Sequence, residues 1–437
     1  MSTPEETWAA RLHAAVDDHP GAMAFDVASY LTAGRRRARR KRAAAGLATV
    51  AAIGVVVAGA AVATNGTLGG APQPADPVVP NVTTPGSGTY GGVALGTGED
   101  GGAVYLVRPG EDAHLLDVAG AEEATEGCPA WSPDGRWLMF GRLAGSSDSA
   151  SRDAELVIVP VDRSGAAGPP TTIALDGFHA AGGLNPHPCG AWAPDGRWVA
   201  LAGTGDVWLV DTQTEEVRRL PRLRPSDLEW RPGTDELAIT GYTGVNRAAP
   251  TVSTPISVYT VSTDELRQLG SVEAAHITWS PDGATLAYTG GEADPPALWL
   301  VDGDGTNARP LVADLGTPSL WTGPVWSPSG DRIAYQRPIP QAGEAEEVVL
   351  VDVADGTETL IDAPETDGQL WYPFALSWSP DGTTLLYTAW AIHQSPEPAG
   401  VITVPADEPR TATVLLDAFD PVPNHQYLWS SKQMWGR

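Results

Sequence analysis

Short apolar runs recur between residue 93 and residue 404, and turn-forming residues separate them. Runs of this length, rich in Val, Leu and aromatic residues, are typical of β-strands. One kind of run, often ending in Val-Asp, occurs seven times, at 104–107, 156–159, 207–211, 256–261, 298–302, 348–352 and 401–404. Shorter apolar runs precede and follow each copy, so the pattern predicts repeated units of four antiparallel strands, each unit about 40 to 60 residues long.

A second recurring string, Trp-Ser-Pro-Asp-Gly or a variant of it, lies after the first strand of a unit. It begins at six tryptophans: Trp131, Trp192, Trp230, Trp279, Trp326 and Trp378. Proline presets φ for a turn and glycine accepts positive φ, so the string predicts a tight turn. The tryptophan before the turn is the large apolar anchor of its strand.

These strings resemble the PD40, or WD40-like, repeats of TolB-type β-propellers, in which the string follows the innermost strand of each blade. The resemblance covers about residues 90–430 and implies an all-β, seven-bladed propeller, with six or eight blades as alternatives. Seven valine-rich runs accompany only six tryptophan strings. We therefore expect a C-terminal strand at 427–430 to pair with the first unit and close the ring, which removes exposed sheet edges.

The segment before the repeats predicts a membrane anchor. Residues 1–42 form a short helical tail that ends in a basic cluster, and residues 43–64 carry no charge. An apolar stretch of about 20 residues is long enough to span a bilayer as one transmembrane helix. The positive-inside rule then places the tail in the cytoplasm and everything after residue 64 outside.

The remaining boundaries follow from composition. Residues 65–90 are rich in Pro and Gly and form an extended tether, and residues 91–437 form the extracytoplasmic propeller. The alternative to an uncleaved anchor is a cleavable signal peptide, since Ala61-Val62-Ala63 has the form of a cleavage site. The protein is therefore expected in the cell membrane, with a single span and a cytoplasmic N-terminus.

Charge narrows the range of partners. The 437-residue chain has 54 acidic and 27 basic residues, for a net charge of −27. Eight of the basic residues lie within residues 1–42, so the remainder is strongly acidic. No nucleic-acid partner is expected, because nucleic-acid binding requires a basic surface.

Candidate channel residues come from one position of the repeat, three residues before each tryptophan. Going round the ring, this position holds Cys128, Cys189, Asp227, His276, Gly323, Ala375 and Gln426. The two cysteines are the only ones in the chain, and outside the cytoplasm such a pair is expected to form a disulfide. Equal positions, however, place both side chains on the same face of neighbouring strands, so one would point toward its partner and the other away from it. Pro186, Pro188 and Gly190 near the second cysteine are expected to distort its strand and permit the bond.

Two alternatives place a metal in the channel. Cys128, Cys189, Asp227 and His276, with His187, offer donors that suit zinc. Some seven-bladed lyases that this fold resembles hold a metal by histidines and a glutamine, and the matching residues here are His179, His187, His276, His425 and Gln426. No spacing motif supports the first set, and most isolated histidines, like those of the second, are structural or exposed. We therefore expect no metal, cofactor or catalytic residue, and retain Asp227, His276 and Gln426 as channel candidates for binding.

Tryptophans outside the repeat anchors are the candidates for ligand contact: Trp321, Trp371, Trp390 and Trp435. The resulting hypothesis is a membrane-anchored propeller that acts as a protein- or glycan-binding scaffold or sensor, since rigidly held loops suit recognition. One alternative is a metal-dependent lyase or hydrolase that acts on cell-surface polysaccharide. Another is the sensor domain of a membrane-bound transcription regulator.

Overall fold

The computed structural model describes residues 91–96, 102–108, 111–120, 124–144, 153–179, 187–241, 254–290, 297–315, 323–339, 346–361, 371–391 and 399–416. All of them belong to one compact unit, Pro74–Arg437. The predicted tail, transmembrane helix, tether and closing strand lie outside the described residues. Within the described part of the chain, we find no helix with the length and apolar character needed to span a membrane.

The described residues form 27 strands in seven antiparallel sheets, six of four strands and one of three. Consecutive strands pair within each sheet, as expected for propeller blades. The prediction of an all-β, seven-bladed propeller is confirmed. We number the blades 1 to 7 in chain order.

Blade 1 has β1 (Val93–Gly96), β2 (Val104–Val107) and β3 (His114–Leu115). Blade 2 has β4 (Ala124–Trp131), β5 (Trp137–Ala144), β6 (Asp153–Pro160) and β7 (Thr171–Ala174). Blade 3 has β8 (Gly190–Trp192), β9 (Trp198–Ala202), β10 (Asp206–Asp211) and β11 (Val217–Pro221). Blade 4 has β12 (Pro225–Trp230), β13 (Glu236–Gly241), β14 (Thr254–Thr260) and β15 (Glu265–Ala274).

Blade 5 has β16 (His276–Trp279), β17 (Thr285–Gly290), β18 (Ala297–Asp302) and β19 (Arg309–Val312). Blade 6 has β20 (Val325–Trp326), β21 (Arg332–Pro338), β22 (Glu346–Asp352) and β23 (Glu358–Ile361). Blade 7 has β24 (Trp371–Trp378), β25 (Thr384–Ala391), β26 (Ala399–Pro405) and β27 (Thr413–Leu416).

The hydrophobic core lies between the blades. Each described core cluster combines residues of two neighbouring blades, as in the cluster that joins Met139 of blade 2 to Trp208 of blade 3. Leu386 and Val401 of blade 7 pack with Val93 of blade 1, and this contact closes the ring. The alternating apolar residues of each strand are therefore buried against the two adjacent sheets rather than within one blade.

The anchor tryptophans also bond one blade to the preceding one. At four of the six anchors, the indole N–H donates to the carbonyl oxygen of the residue directly before the preceding blade's anchor. This bond joins Trp192 to Ala130 (3.1 Å), Trp230 to Ala191 (3.1 Å), Trp326 to Thr278 (3.1 Å) and Trp378 to Val325 (3.3 Å). The anchors therefore contribute specific hydrogen bonds as well as apolar surface.

The turn after each anchor has the predicted backbone. Its glycine has a positive φ in all six copies, between 67° and 76°. The serine has a role that the sequence did not indicate: Ser280 Oγ donates to Asp282 Oδ1 at 2.6 Å and accepts a bond from the backbone N–H of Thr285 at 2.9 Å. In the altered copy after Trp326, Asp331 supplies the missing carboxylate.

A further altered copy, after Trp230, has Arg231 in the place of the serine. Its Nη1 donates to Glu236 Oε2 at 2.7 Å, and its Nε donates to the carbonyl oxygen of Gly283 at 2.8 Å. The guanidinium also lies 4.9 Å from the ring centre of Trp279, the anchor of the next blade. This substitution therefore connects blade 4 to blade 5.

Candidate functional site

Asp227 and His276 lie side by side on the first strands of blades 4 and 5. His276 Nδ1 is 3.9 Å from Asp227 Oδ2, and the two side chains are 13% and 14% exposed. The Asp227 carboxylate accepts backbone N–H bonds from Leu228 and from Ile277 of the next blade, each at 3.0 Å. It therefore bridges two blades as well as facing the imidazole.

In blade 6, Gly323 holds the same repeat position as Asp227 and His276. A Cβ placed on Gly323 would lie 2.7 Å from the Cβ of His276, which is closer than real side chains approach. Glycine at this position lets the two blades pack closely. The structure thus brings together three of the residues that share the position three before an anchor: Asp227, His276 and Gly323.

Cys128 and Cys189 are joined by a disulfide that connects blade 2 to blade 3, with their Cα atoms 5.1 Å apart. The pairing of β4 with β5 shifts register between Gly127 and Ala130, and Cys128 has a φ of 55°. A bulge re-aims a side chain, so the two sulfurs meet although the residues hold equal positions in the repeat. This distortion lies at Cys128, whereas the sequence placed it around Cys189.

The disulfide removes both thiolates from the first metal set. Within the described residues, no group of three or more His, Cys, Asp or Glu side chains could hold a metal ion. Gln426 and His425 lie outside the described residues. Of the three residues that remain from the first set, Asp227 and His276 lie close together.

Two further candidate histidines, His187 and His179, lie in the described part of the chain. His187 is buried, with 2% of its surface exposed, and its Nε2 lies 3.0 Å from Thr125 Oγ1 of blade 2. Its ring also covers Gly127, where an added Cβ would lie 2.8 Å from Nδ1. His179 is exposed, and its carbonyl oxygen accepts the backbone N–H of Thr204 at 2.7 Å. His187 therefore fills the junction of blades 2 and 3.

A buried ion pair on blade 2 was not predicted from the sequence. Arg142 donates to Glu126 Oε1 through Nε at 2.9 Å and through Nη2 at 2.7 Å, and each side chain is 4% exposed. Burial raises the pKa of Glu126, and the hydrogen bond from Arg142 lowers it; the raising effect prevails. The residues are directly paired between β4 and β5, so only the strand register could have revealed them.

The aromatic candidates are divided by what the structure describes. Trp371 is the first residue of β24, and Trp390 is close to the end of the paired strand β25. The register pairs Tyr372 with Trp390, so the two tryptophans occupy the same end of blade 7. Trp321 and Trp435 lie outside the described residues.

The propeller has two faces of different construction. The turns after the anchors and the turns between the third and fourth strands of a blade lie at one end, which we call the turn face. Second strands end and third strands begin at the opposite end, where one blade also leads into the next; we call this end the loop face. Trp371 and Trp390 are at the loop-face end of blade 7, because β24 runs toward the turn that follows Trp378.

The blades, the ring closure and the repeated turns define a β-propeller, and the repeats are TolB-like. Over 98 residues the chain is 32% identical to the Tol-Pal system protein TolB of Anaeromyxobacter dehalogenans (strain 2CP-C), a match over 22% of this chain and 20% of that protein. The chain thus spans about a fifth of the length of the curated relatives that it matches. No family model matches the chain.

Two solved structures align with this chain at low identity. A prolyl endopeptidase aligns with a TM-score of 0.53 and 13% identity, over 75% of this chain and 48% of that chain. TolB from Acinetobacter baumannii aligns with a TM-score of 0.42 and 15% identity, over 73% of this chain and 78% of that chain. At these identities the likeness concerns the fold, which also serves enzymes and binding proteins.

Proposed function

We propose that this protein is a membrane-anchored, extracytoplasmic β-propeller that binds a protein partner as a scaffold or sensor. The observation that carries the proposal is that Asp227, a channel candidate from the sequence, holds blade 4 to blade 5 by accepting the N–H of Ile277. A carboxylate bonded in this way favours a rigid platform over an acid–base group. Rigid platforms with connections at one face suit recognition.

The location rests on two features of the sequence and one of the structure. The basic cluster before residues 43–64 supports a cytoplasmic tail and a single span. The Cys128–Cys189 disulfide supports an oxidising compartment for the propeller. The partner is proposed to be a protein, because the matched relative is a component of the Tol-Pal system.

The test is cross-linking in intact cells with a membrane-impermeant reagent, followed by purification of the tagged full-length chain. We expect a discrete protein partner that is lost when residues 91–437 are replaced by an unrelated extracytoplasmic domain on the same tail, anchor and tether. Identical cross-links from both chains would contradict a propeller-bound partner.

The sensor form of the proposal differs in one requirement, a cytoplasmic regulator held by residues 1–42. Co-purification of a cytoplasmic protein that is lost on deletion of residues 1–34 would support the sensor, and its absence would leave the scaffold.

The polysaccharide-cleaving alternative predicts release of oligosaccharides from isolated cell envelopes with added divalent metal. Release that stops in the His276→Ala variant would overturn the proposal.

A further inference from the structure

The connection between blades 3 and 4 carries two unusual arginines at the loop face. Arg222 and Arg224 have left-handed backbones, with φ of 67° and 42°. Both are exposed, and among the described residues neither guanidinium has a carboxylate partner. Glycine adopts such a backbone without strain, so the backbone conformation does not explain why both positions hold arginine.

The backbone of this connection is held on several sides. The N–H of Arg222 donates to Asp206 Oδ1 at 3.2 Å, and the N–H of Arg224 donates to the carbonyl oxygen of Gly205 at 3.2 Å. The carbonyl oxygen of Leu223 lies 2.9 Å from where a Cβ on Gly241 would be. The two guanidinium groups are therefore carried on a fixed base.

Asp206, the acidic side chain that bonds to this connection, is already paired with another arginine. Asp206 forms an ion pair with Arg219, whose guanidinium lies 4.6 Å from the ring centre of Trp208. The hydrogen bond from Arg219 is the first reason that the pKa of Asp206 is lowered, so this carboxylate is ionised at neutral pH and paired. The negative charge of Asp206 is thus balanced by Arg219, and the positive charges of Arg222 and Arg224 are not balanced by it.

Protection of a sheet edge explains only part of this arginine-rich stretch. Arg218 and Arg219 lie on β11, the outermost strand of blade 3, and charged residues on such strands oppose edge-to-edge aggregation. Arg218 also pairs with Glu216 at 3.0 Å. Arg222 and Arg224 follow the end of the strand, so edge protection does not account for them. Strained backbone positions of this kind cluster at binding sites.

We propose that Arg222 and Arg224 dock a short acidic segment of a partner protein. This inference rests on the proposed function and names the class of partner. Guanidinium groups bind carboxylates with two parallel hydrogen bonds. A long polyanion would be repelled by the acidic remainder of a chain whose net charge is −27.

The test uses the full-length chain in detergent and a fluorescent synthetic peptide of alternating Glu and Ser, with binding followed by anisotropy. The variant is Arg222→Gly with Arg224→Gly, because glycine suits both backbones and should preserve or raise the thermal midpoint. The matched control is Arg136→Ala with Arg163→Ala, which removes two exposed arginines from the turn face. We expect the first variant to bind the peptide at least tenfold more weakly than the control, and binding to weaken as salt rises.

Equal affinity of the two double variants would overturn the proposal. Tighter, Arg222-dependent binding of a polyphosphate of the same length would overturn it too, since the surface would then recognise phosphate. Cross-linking in cells separates this inference from the function on which it rests. If the glycine variant loses the peptide but keeps the wild-type partner, the docking surface is wrong and the scaffold stands.

Discussion

The indole nitrogen of Trp192 donates a hydrogen bond to the carbonyl oxygen of Ala130 across 3.1 Å, and so ties the first strand of blade 3 to that of blade 2. The same bond, from one anchor to the residue before the preceding anchor, recurs at Trp230, Trp326 and Trp378. The repeat therefore encodes the joint between blades, and not only the turn within a blade.

Removal of this indole N–H should weaken the ring. We expect Trp192→Phe to lower the free energy of unfolding by about 1–3 kcal/mol, because a buried carbonyl oxygen loses its donor. The urea midpoint of the full-length chain measures the loss. Trp299→Phe is the control, since the buried indole nitrogen of Trp299 has no hydrogen-bond partner among the described residues. A loss of equal size in both variants would show that the lower stability comes from the smaller side chain of phenylalanine and not from the lost hydrogen bond.

The disulfide should contribute to stability because it links residues 61 positions apart. Loop-closure entropy for a segment of this length corresponds to about 4 kcal/mol. We expect a reductant to lower the thermal midpoint of the wild-type chain and to leave that of the Cys128→Ser, Cys189→Ser variant unchanged. A midpoint that does not respond to reduction in the wild type would contradict this contribution.

The turn aspartates should give the propeller an acid-sensitive stability. The hydroxyl of Ser379 is the first cause of the lowered pKa of Asp381. A lowered folded pKa stabilises the fold above the unfolded value of about 3.9, and this stabilisation is lost as the pH falls through the folded pKa. Asp381→Asn should therefore be less stable than the wild type at pH 7, with the difference shrinking toward pH 2.

The control for this pH dependence is Asp176→Asn. Asp176 is exposed and accepts no hydrogen bond among the described residues. Urea unfolding of the three chains between pH 2 and pH 7 provides the comparison. A constant difference between Asp381→Asn and the wild type over that range would rule out the assigned role of the serine hydroxyl.

Asp227 should act as a structural bridge. Asp227→Ala removes the acceptor of the Ile277 N–H, and we expect it to lower the free energy of unfolding by about 1–3 kcal/mol. Asp227→Asn keeps one oxygen acceptor and should lose less. Urea unfolding of both variants measures the difference. If the asparagine variant is the less stable of the two, the bridge does not depend on an oxygen acceptor.

Much of the fold could be predicted because the repeat is a local signal. The valine-rich runs gave the number of blades, and the positive φ of the six turn glycines agrees with the predicted turn. The bonds of Ser280 and the stacking of Arg231 on Trp279 were not predicted, because they depend on which atoms meet after the blades assemble.

The candidate site was only partly predictable. Equal positions in the repeat correctly brought Asp227 next to His276. The same rule gave the wrong orientation for Cys128, because a bulge between Gly127 and Ala130 turns this residue out of the regular strand. Gly127 was the available signal, since a glycine within a strand often marks a bulge. The pair Glu126 and Arg142 could be found only from the strand register.

The redox state of Cys128 and Cys189 in growing cells tests the central claim, an extracytoplasmic propeller, most directly. Cells are quenched in acid, denatured, and treated with a polyethylene glycol maleimide with or without prior reduction. We predict no mass shift of the full-length chain without reduction and a shift of two adducts after it. Two adducts without reduction would place the cysteines in a reducing compartment and contradict an extracytoplasmic binding scaffold.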